Sequence, residues 1–161
     1  MTSGRFLRFF AGLLTLTAWG CGGGDTACTD CPAVEGRYRM RFNADAGVPP
    51  ECALLGVELP VGEVLDIART GDRLTSQLAG VPLEGAITFQ GTFSLSGSIT
   101  NAGAPGGART DTLALNGSYL APMTDGGTAS ISGVFTGSHA RASDTGGQRC
   151  NVSSPFSATR D

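Results

Sequence analysis

The chain has 161 residues, enough for one domain. Its formal net charge is -3, its eleven basic residues are all arginine, and no basic run is present, which argues against nucleic-acid binding. Hydrophobic residues make up 40% of the sequence, which excludes wholesale disorder, and the 25 glycines follow no three-residue period, which excludes collagen.

The N-terminal segment has the pattern of an export signal. Arg5 and Arg8 precede an apolar run over residues 9–19, which is too short for a spanning helix of about 20 residues. Residues 18–21 read Ala-Trp-Gly-Cys, and these small residues before a cysteine resemble the lipobox of bacterial lipoproteins. The resemblance implies that Cys21 becomes the lipidated first residue of the mature chain. An ordinary secretory signal or an uncleaved anchor is the alternative.

The resemblance also implies a location and a partner. A lipid on Cys21 would anchor the chain to a membrane, on an extracytoplasmic face of the bacterial cell envelope. After residue 20, nine arginines stand against fourteen acidic residues, and this net of -5 gives no attraction to anionic lipid. The predicted domains are a signal peptide over 1–20, the lipid-attachment cysteine with a glycine-rich tether over 21–33, and a folded domain over 34–161.

After the tether, apolar and polar residues alternate between turns rich in Gly, Pro, Asn and Asp, which predicts strands throughout. The first strand carries Tyr38, Met40 and Phe42 on one face and three arginines on the other. The predicted strands cover approximately residues 36–44, 63–70, 73–79, the two halves of 83–100, 111–120, 128–139 and 151–160.

Two predicted turns set the register between neighbouring strands. A type II′ turn at Gly71-Asp72 places Thr70 opposite Arg73 and brings the apolar residues of both strands to one face. Segment 83–100 is predicted to be a hairpin with a three-residue loop over 90–92, which pairs Phe89 with Phe93. A single bent strand is the alternative, but it would greatly exceed the usual strand length.

An apolar–glycine–apolar pattern recurs around Gly97, Gly117 and Gly133. Glycine inside successive strands suits the bending that closes a small barrel. Eight sequential strands with short connections therefore predict an all-β fold, a single antiparallel meander closed into an up-and-down barrel. Closure removes the free edges of the sheet; a two-sheet β-sandwich is the alternative.

Four cysteines remain after Cys21, and an even number in an exported chain predicts disulfides. If the first and last strands pair, the end of the first strand lies beside the start of the last strand. Cys52 follows the first strand and Cys150 precedes the last one, which predicts a Cys52–Cys150 bridge. Cys28 and Cys31 are then left to bond to each other. The alternative joins Cys31 to Cys150 and Cys28 to Cys52. A zinc site needs two further ligands beside the Cys-x-x-Cys pair, and no second Cys-x-x-Cys or Cys-x-x-His pair follows, so no metal is predicted.

The barrel interior and the one long connection bear on ligand binding. Gly36-Arg37-Tyr38 resembles the Gly-x-Trp motif at the start of lipocalin-like barrels, and the resemblance implies at most an internal cavity. The candidate cavity residues are Tyr38, Phe42, Phe93 and Phe135. Within segment 45–62, Leu54 and Leu55 would cover one end of the barrel, either as a lid over a small apolar ligand or as a plug. A plug is predicted, because the interior of a small barrel must be filled by its own side chains before it can hold a ligand.

No catalytic constellation is evident. The only imidazole, His139, is predicted at the end of the inward face or at the rim, bonded to a neighbour or to water. Asp66, Glu84 and Asp111 are predicted to be solvated, and no phosphate-binding or dinucleotide-binding motif is present. The sequence therefore predicts a non-catalytic structural or interaction module without cofactor, with a lipocalin-like carrier of a small apolar ligand as the alternative.

Overall fold

The computed structural model describes residues 28, 30–104, 106–142 and 146–161. It confirms the all-β prediction and the closed barrel: each strand pairs with the next, and the last pairs with the first. The elements are β1 (Gly36–Phe42), helix α1 (Pro50–Leu54), β2 (Val64–Thr70), β3 (Arg73–Leu78), β4 (Val81–Ile87), β5 (Thr92–Asn101), β6 (Arg109–Leu120), β7 (Ser130–Arg141) and β8 (Gln148–Arg160).

The barrel closes through the predicted antiparallel pairing of β1 with β8. Tyr38 lies opposite Arg160 and Phe42 lies opposite Phe156, so neither strand is left as an edge along this stretch. Along the strands, buried residues alternate with exposed ones, as expected when one face of a sheet covers a core. The arginines of β1 are exposed on the outward face, and Met40 between them is buried.

Because the strands are antiparallel and sequential, their connections alternate between the two ends of the barrel. We call one end the floor: it holds the incoming segment 30–35 and the connections 71–72, 88–91 and 121–129. The other is the cap end, which holds the long segment 43–63, called the cap loop, and the connections 79–80, 102–108 and 142–147. The N-terminal tether therefore reaches the barrel at the floor.

A tyrosine–arginine contact closes the floor. The buried Tyr38 hydroxyl donates a hydrogen bond to the Val34 carbonyl at 2.8 Å and accepts one from Arg160 Nη2 at 3.0 Å. The Arg160 guanidinium lies 5.5 Å from the Tyr38 ring centroid and 5.8 Å from that of Tyr119, within cation–π range. Gly36 has a φ of +141°, and a Cβ there would lie 2.9 Å from Arg160 Nε, so this position requires glycine.

The first predicted hairpin is confirmed. Thr70 lies opposite Arg73, and the apolar residues of β2 and β3 share the buried face. Gly71 has a φ of +66°, while Asp72 keeps a negative φ, as a type II′ turn requires.

The hairpin of β4 and β5 forms, but its predicted register is wrong. Ile87 pairs with Phe93, and the connection is the four residues 88–91. Thr88 N–H donates to the Thr92 carbonyl at 2.8 Å, which closes a three-residue loop over 89–91, one residue earlier in the chain than predicted. Phe89, predicted to pair with Phe93, is exposed at the floor.

The cap loop packs over the opposite end of the barrel. Its short helix α1 places Cys52 in the core, where it is bonded to Cys150 at the start of β8, with 5.2 Å between the Cα atoms. The predicted pairing of the four cysteines is confirmed, since Cys28 is bonded to Cys31. Leu55 is buried as a plug residue, whereas Leu54 points into solvent, so only one of the two leucines covers the barrel.

Candidate functional site

The four candidate cavity residues lie in the barrel interior. Tyr38, Phe93 and Phe135 are buried members of one continuous apolar core. Phe42 is half-buried and meets Phe135 edge-to-face, with ring centroids 5.8 Å apart. The interior around these rings is filled by side chains contributed from all eight strands, as a barrel of this size requires.

The other predicted site residues are cysteines. Cys21 lies outside the described residues, so its lipidation stays a prediction. Cys31 contacts the floor, where its Sγ lies 3.4 Å from the Ile87 carbonyl oxygen. The Cys28–Cys31 disulfide therefore marks the point at which the N-terminal segment meets the barrel, while Cys52–Cys150 secures the cap loop at the other end.

A cluster of charged residues stands at the cap end, inside the ring of strands. Asp111 and His139 are directly opposite each other on β6 and β7, and His139 Nδ1 lies 2.6 Å from Asp111 Oδ1. Arg109 Nε donates to the same carboxylate oxygen at 2.8 Å. The short contact to a carboxylate, which only accepts, assigns the proton to Nδ1 of the imidazole.

This cluster also holds the cap loop. Arg109 Nη1 and Arg141 Nη2 each donate to the Leu55 carbonyl at 3.3 Å. Leu55 follows α1 and is itself buried, so the two guanidiniums satisfy the end of the helix while the leucine side chain enters the core. The charged cluster therefore fastens the plug in addition to the disulfide.

The environment of Asp111 sets its protonation. Partial burial by itself would raise the pKa of this carboxyl group, but the hydrogen bonds from His139 and Arg109 outweigh burial and lower the pKa below its ordinary value. Asp111 is consequently ionised in the folded protein at neutral pH and acts as the counter-ion of the Arg109 guanidinium.

The imidazole of His139 is turned toward the interior. The residue is only 6% exposed, and its Nε2 has no hydrogen-bond partner among the described residues. Gly137, two positions earlier on the same face, makes room for the ring, because a Cβ there would lie 2.7 Å from Nε2. Beside the ring is a cleft of about 80 Å³, lined also by Leu113 and Phe135.

The Asp111–His139 pair orients an imidazole in the way that general-base catalysis requires. A nucleophile must also lie within hydrogen-bond reach of the free nitrogen, and in the described part of the chain no hydroxyl or thiol does so for Nε2. The arrangement shown is therefore a hydrogen-bonded Asp111–His139 pair beside the cap loop, with no partner for Nε2 among the described residues.

The sequence analysis placed His139 correctly but misplaced Asp111. His139 lies at the cap end bonded to a neighbour, as predicted, but Asp111 is not solvated: its side chain points inward and is bonded to two partners. The signal was present, because Asp111 has the same parity as Leu113 and Leu115 on one strand and must share their inward face.

Comparison of the chain with protein-family models, with curated proteins and with solved structures finds no match. Among the described residues, none of the helices has the length and apolar character needed to cross a membrane. Across those same residues, no group of three or more His, Cys, Asp or Glu side chains is placed to hold a metal ion. The function is therefore inferred from the barrel and its two ends.

The lowered pKa of Asp111 predicts how the charged cluster affects stability. Asp111→Asn should lower the free energy of unfolding by about 1–2 kcal/mol at neutral pH, because the donors on His139 and Arg109 lose an ionised acceptor. A carboxyl group whose pKa is lowered on folding stabilises the protein above its unfolded pKa, and that stability is lost as the pH falls through the folded pKa. The difference in the free energy of unfolding between the native protein and the variant should therefore shrink as the pH falls below 3.8, the ordinary pKa of an aspartate.

Urea unfolding of both proteins across this pH range measures the gap. Asp66→Asn is the matched control, since Asp66 is exposed on β2; it should change stability by less than about 0.5 kcal/mol at any pH. A gap for Asp111→Asn that is the same at neutral and acidic pH would show that the carboxylate charge contributes nothing.

Proposed function

We propose that this protein is a bacterial lipoprotein, anchored through Cys21 to a membrane on an extracytoplasmic face of the cell envelope, whose barrel is a non-catalytic structural or interaction module. The observation that carries the proposal is the apolar core that occupies the interior: Tyr38, Phe93 and Phe135 are buried in it, and Phe42 packs edge-to-face on Phe135. A barrel of this kind presents its outer surface and its two ends to partners and keeps its interior for stability.

The two disulfides support export. Structural disulfides persist in oxidising compartments and are rare in the cytosol. Cys52 and Cys150 are both buried in the core, where their bridge fastens the cap loop, which is the position of a structural rather than an exchanging bond. The pairing of these four cysteines leaves Cys21 as the odd one, free for attachment of lipid.

The size of the cap-end cleft favours a module over the alternative carrier. Small-molecule pockets usually have a volume of about 300–1,000 Å³. The cleft beside His139 measures about 80 Å³ and is lined on one side by Val57, Glu58 and Pro60 of the cap loop. Among the described residues no hydroxyl or thiol is within hydrogen-bond reach of His139 Nε2, which supports the non-catalytic assignment.

Lipid attachment is tested by metabolic labelling with a palmitate analogue in a bacterium that processes lipoproteins. The native chain should be labelled and should sediment with membranes. Cys21→Ala should abolish the label, because the substitution removes the only thiol that the lipobox resemblance designates.

The control is the double variant Cys28→Ser/Cys31→Ser, which removes two other cysteines close to the tether and leaves Cys21 in place. This variant should be labelled like the native chain. Label that persists in Cys21→Ala, or that is lost in the double variant alone, contradicts attachment at Cys21.

A further inference from the structure

Three large apolar side chains are exposed together at the floor of the barrel. Phe89 in the connection 88–91 is 70% exposed, Leu120 at the end of β6 is 55% exposed, and Met123 in the following connection is 87% exposed. We call these three residues the floor rim. Each of the three residues keeps more than half of its surface exposed, so it contributes little apolar burial to the isolated domain.

The two segments that carry the floor rim are hydrogen-bonded to each other. Tyr119 N–H donates to the Gly91 carbonyl at 2.8 Å, which joins the end of β6 to the connection that carries Phe89. Leu120 directly follows Tyr119, and Met123 is three residues further along. Clustered apolar side chains at one end of a domain mark an interaction surface more reliably than isolated ones do.

The N-terminal segment meets the barrel at the same place. Cys31 Sγ lies 3.4 Å from the Ile87 carbonyl oxygen, two residues before Phe89. A Cβ added to Gly91 would lie 3.6 Å from Pro32 Cγ, so the proline packs beside this connection. The chain that leads back to Cys21 therefore leaves the domain next to the floor rim.

The remaining tether is short. Cys28 is seven positions after Cys21, a stretch that spans at most roughly 25 Å when fully extended and about 15 Å as a flexible coil. An anchor at Cys21 consequently keeps the floor, and not the cap end, within reach of the lipid headgroups. The bilayer interface is therefore the apolar surface that lies within reach of the floor.

We propose that the floor rim inserts into the lipid interface, so that the barrel stands on the membrane with its cap end facing away. The inference rests on the proposed attachment at Cys21. Side chains at such an interface lie about 5–10 Å into the boundary between headgroups and acyl chains. The occupant is an uncharged lipid surface, because the charged residues of the four floor segments 30–35, 71–72, 88–91 and 121–129 are all acidic: Asp30, Glu35, Asp72 and Asp125.

Tryptophan reporters test the orientation. The only tryptophan is Trp19, in the segment that processing removes, so the mature lipidated protein has no intrinsic tryptophan emission. Phe89→Trp and Met123→Trp each add one reporter to the floor rim. The matched control is Leu54→Trp, which adds the same ring at an equally exposed position of the cap loop, 80% accessible.

Each lipidated variant is reconstituted into uncharged phosphatidylcholine vesicles, with and without bromine on the acyl chains, which quenches nearby tryptophan. The floor reporters should lose about half of their emission in brominated vesicles and shift to shorter wavelength, whereas the control should change little, because an interfacial ring lies about 5–10 Å deep. Co-flotation with the vesicles measures attachment separately.

The outcomes separate the two proposals. Variants that float but show no quenching at Phe89→Trp or Met123→Trp, or equal quenching at Leu54→Trp, overturn the orientation while attachment through lipid stands. Variants that do not float, and carry no lipid at Cys21, overturn the attachment and the orientation together. Quenching confined to the floor reporters in floated protein supports both.

Discussion

Replacing both residues of the long disulfide, in Cys52→Ala/Cys150→Ala, should lower the free energy of unfolding by about 4–5 kcal/mol. The bridge spans 98 residues, and a cross-link over such a length removes much of the conformational freedom of the unfolded chain. Both cysteines are buried where the cap loop meets β8, so the variant also leaves the plug held only by its packing and by the hydrogen bonds to the Leu55 carbonyl.

Chemical denaturation followed by circular dichroism measures the loss. The matched control is Cys28→Ala/Cys31→Ala, whose bridge spans three residues and for which the same chain-entropy relation gives about 2 kcal/mol. The two double variants should therefore differ by more than twofold. Equal losses would mean that the cap loop is held by the charged cluster and its packing, and that the disulfide is incidental to stability.

Replacing Gly133 with alanine should lower the free energy of unfolding by about 3 kcal/mol. A Cβ at this position would lie 2.0 Å from the Asn116 carbonyl oxygen and 2.5 Å from the Gly117 Cα. These are backbone atoms in the middle of a twelve-residue ladder between β6 and β7, so the steric overlap can be removed only if the two strands move apart. The close approach of the strands at this pair of glycines is part of the bend that closes the barrel.

Gly47→Ala is the matched control, because a Cβ at this position would have nothing within 4 Å, and stability should stay within about 0.5 kcal/mol of the native value. Thermal and urea unfolding of both variants measures the difference. An alanine at position 133 that costs as little as one at position 47 would contradict the close packing of β6 and β7.

Much of the barrel follows from local patterns. The two faces of β1 could be predicted because alternation along a strand is a property of the strand itself, and the β2–β3 register follows from a two-residue turn that allows only one pairing. Closure, and with it the Cys52–Cys150 bridge, followed from sequential strands whose edges would otherwise be free. The lipobox resemblance at Cys21 leads to an attachment that remains a proposal.

The register of β4 and β5 was decided by the fold and not by the sequence pattern. Residue parity allows Phe93 to pair with either Phe89 or Ile87, because both have the same phase. The structure selects Ile87, which points into the core, and leaves Phe89 at the floor beside the incoming tether. The choice between these two registers depends on where the barrel ends, and no local sequence pattern indicates that position.

By itself the sequence determined the two faces of β1, β2 and β3, the order of the strands and their closure, because these depend on alternation and on short connections. The tertiary structure alone decided the cluster of Arg109, Asp111 and His139 and its hold on Leu55. Arg109 and Leu55 are 54 residues apart, and their contact exists only once α1 folds over the cap end. Parity brings Asp111 inside, but the register of β6 and β7 places His139 directly opposite it. The small size of Gly137 leaves room for the imidazole ring, whose Nε2 has no hydrogen-bond partner among the described residues.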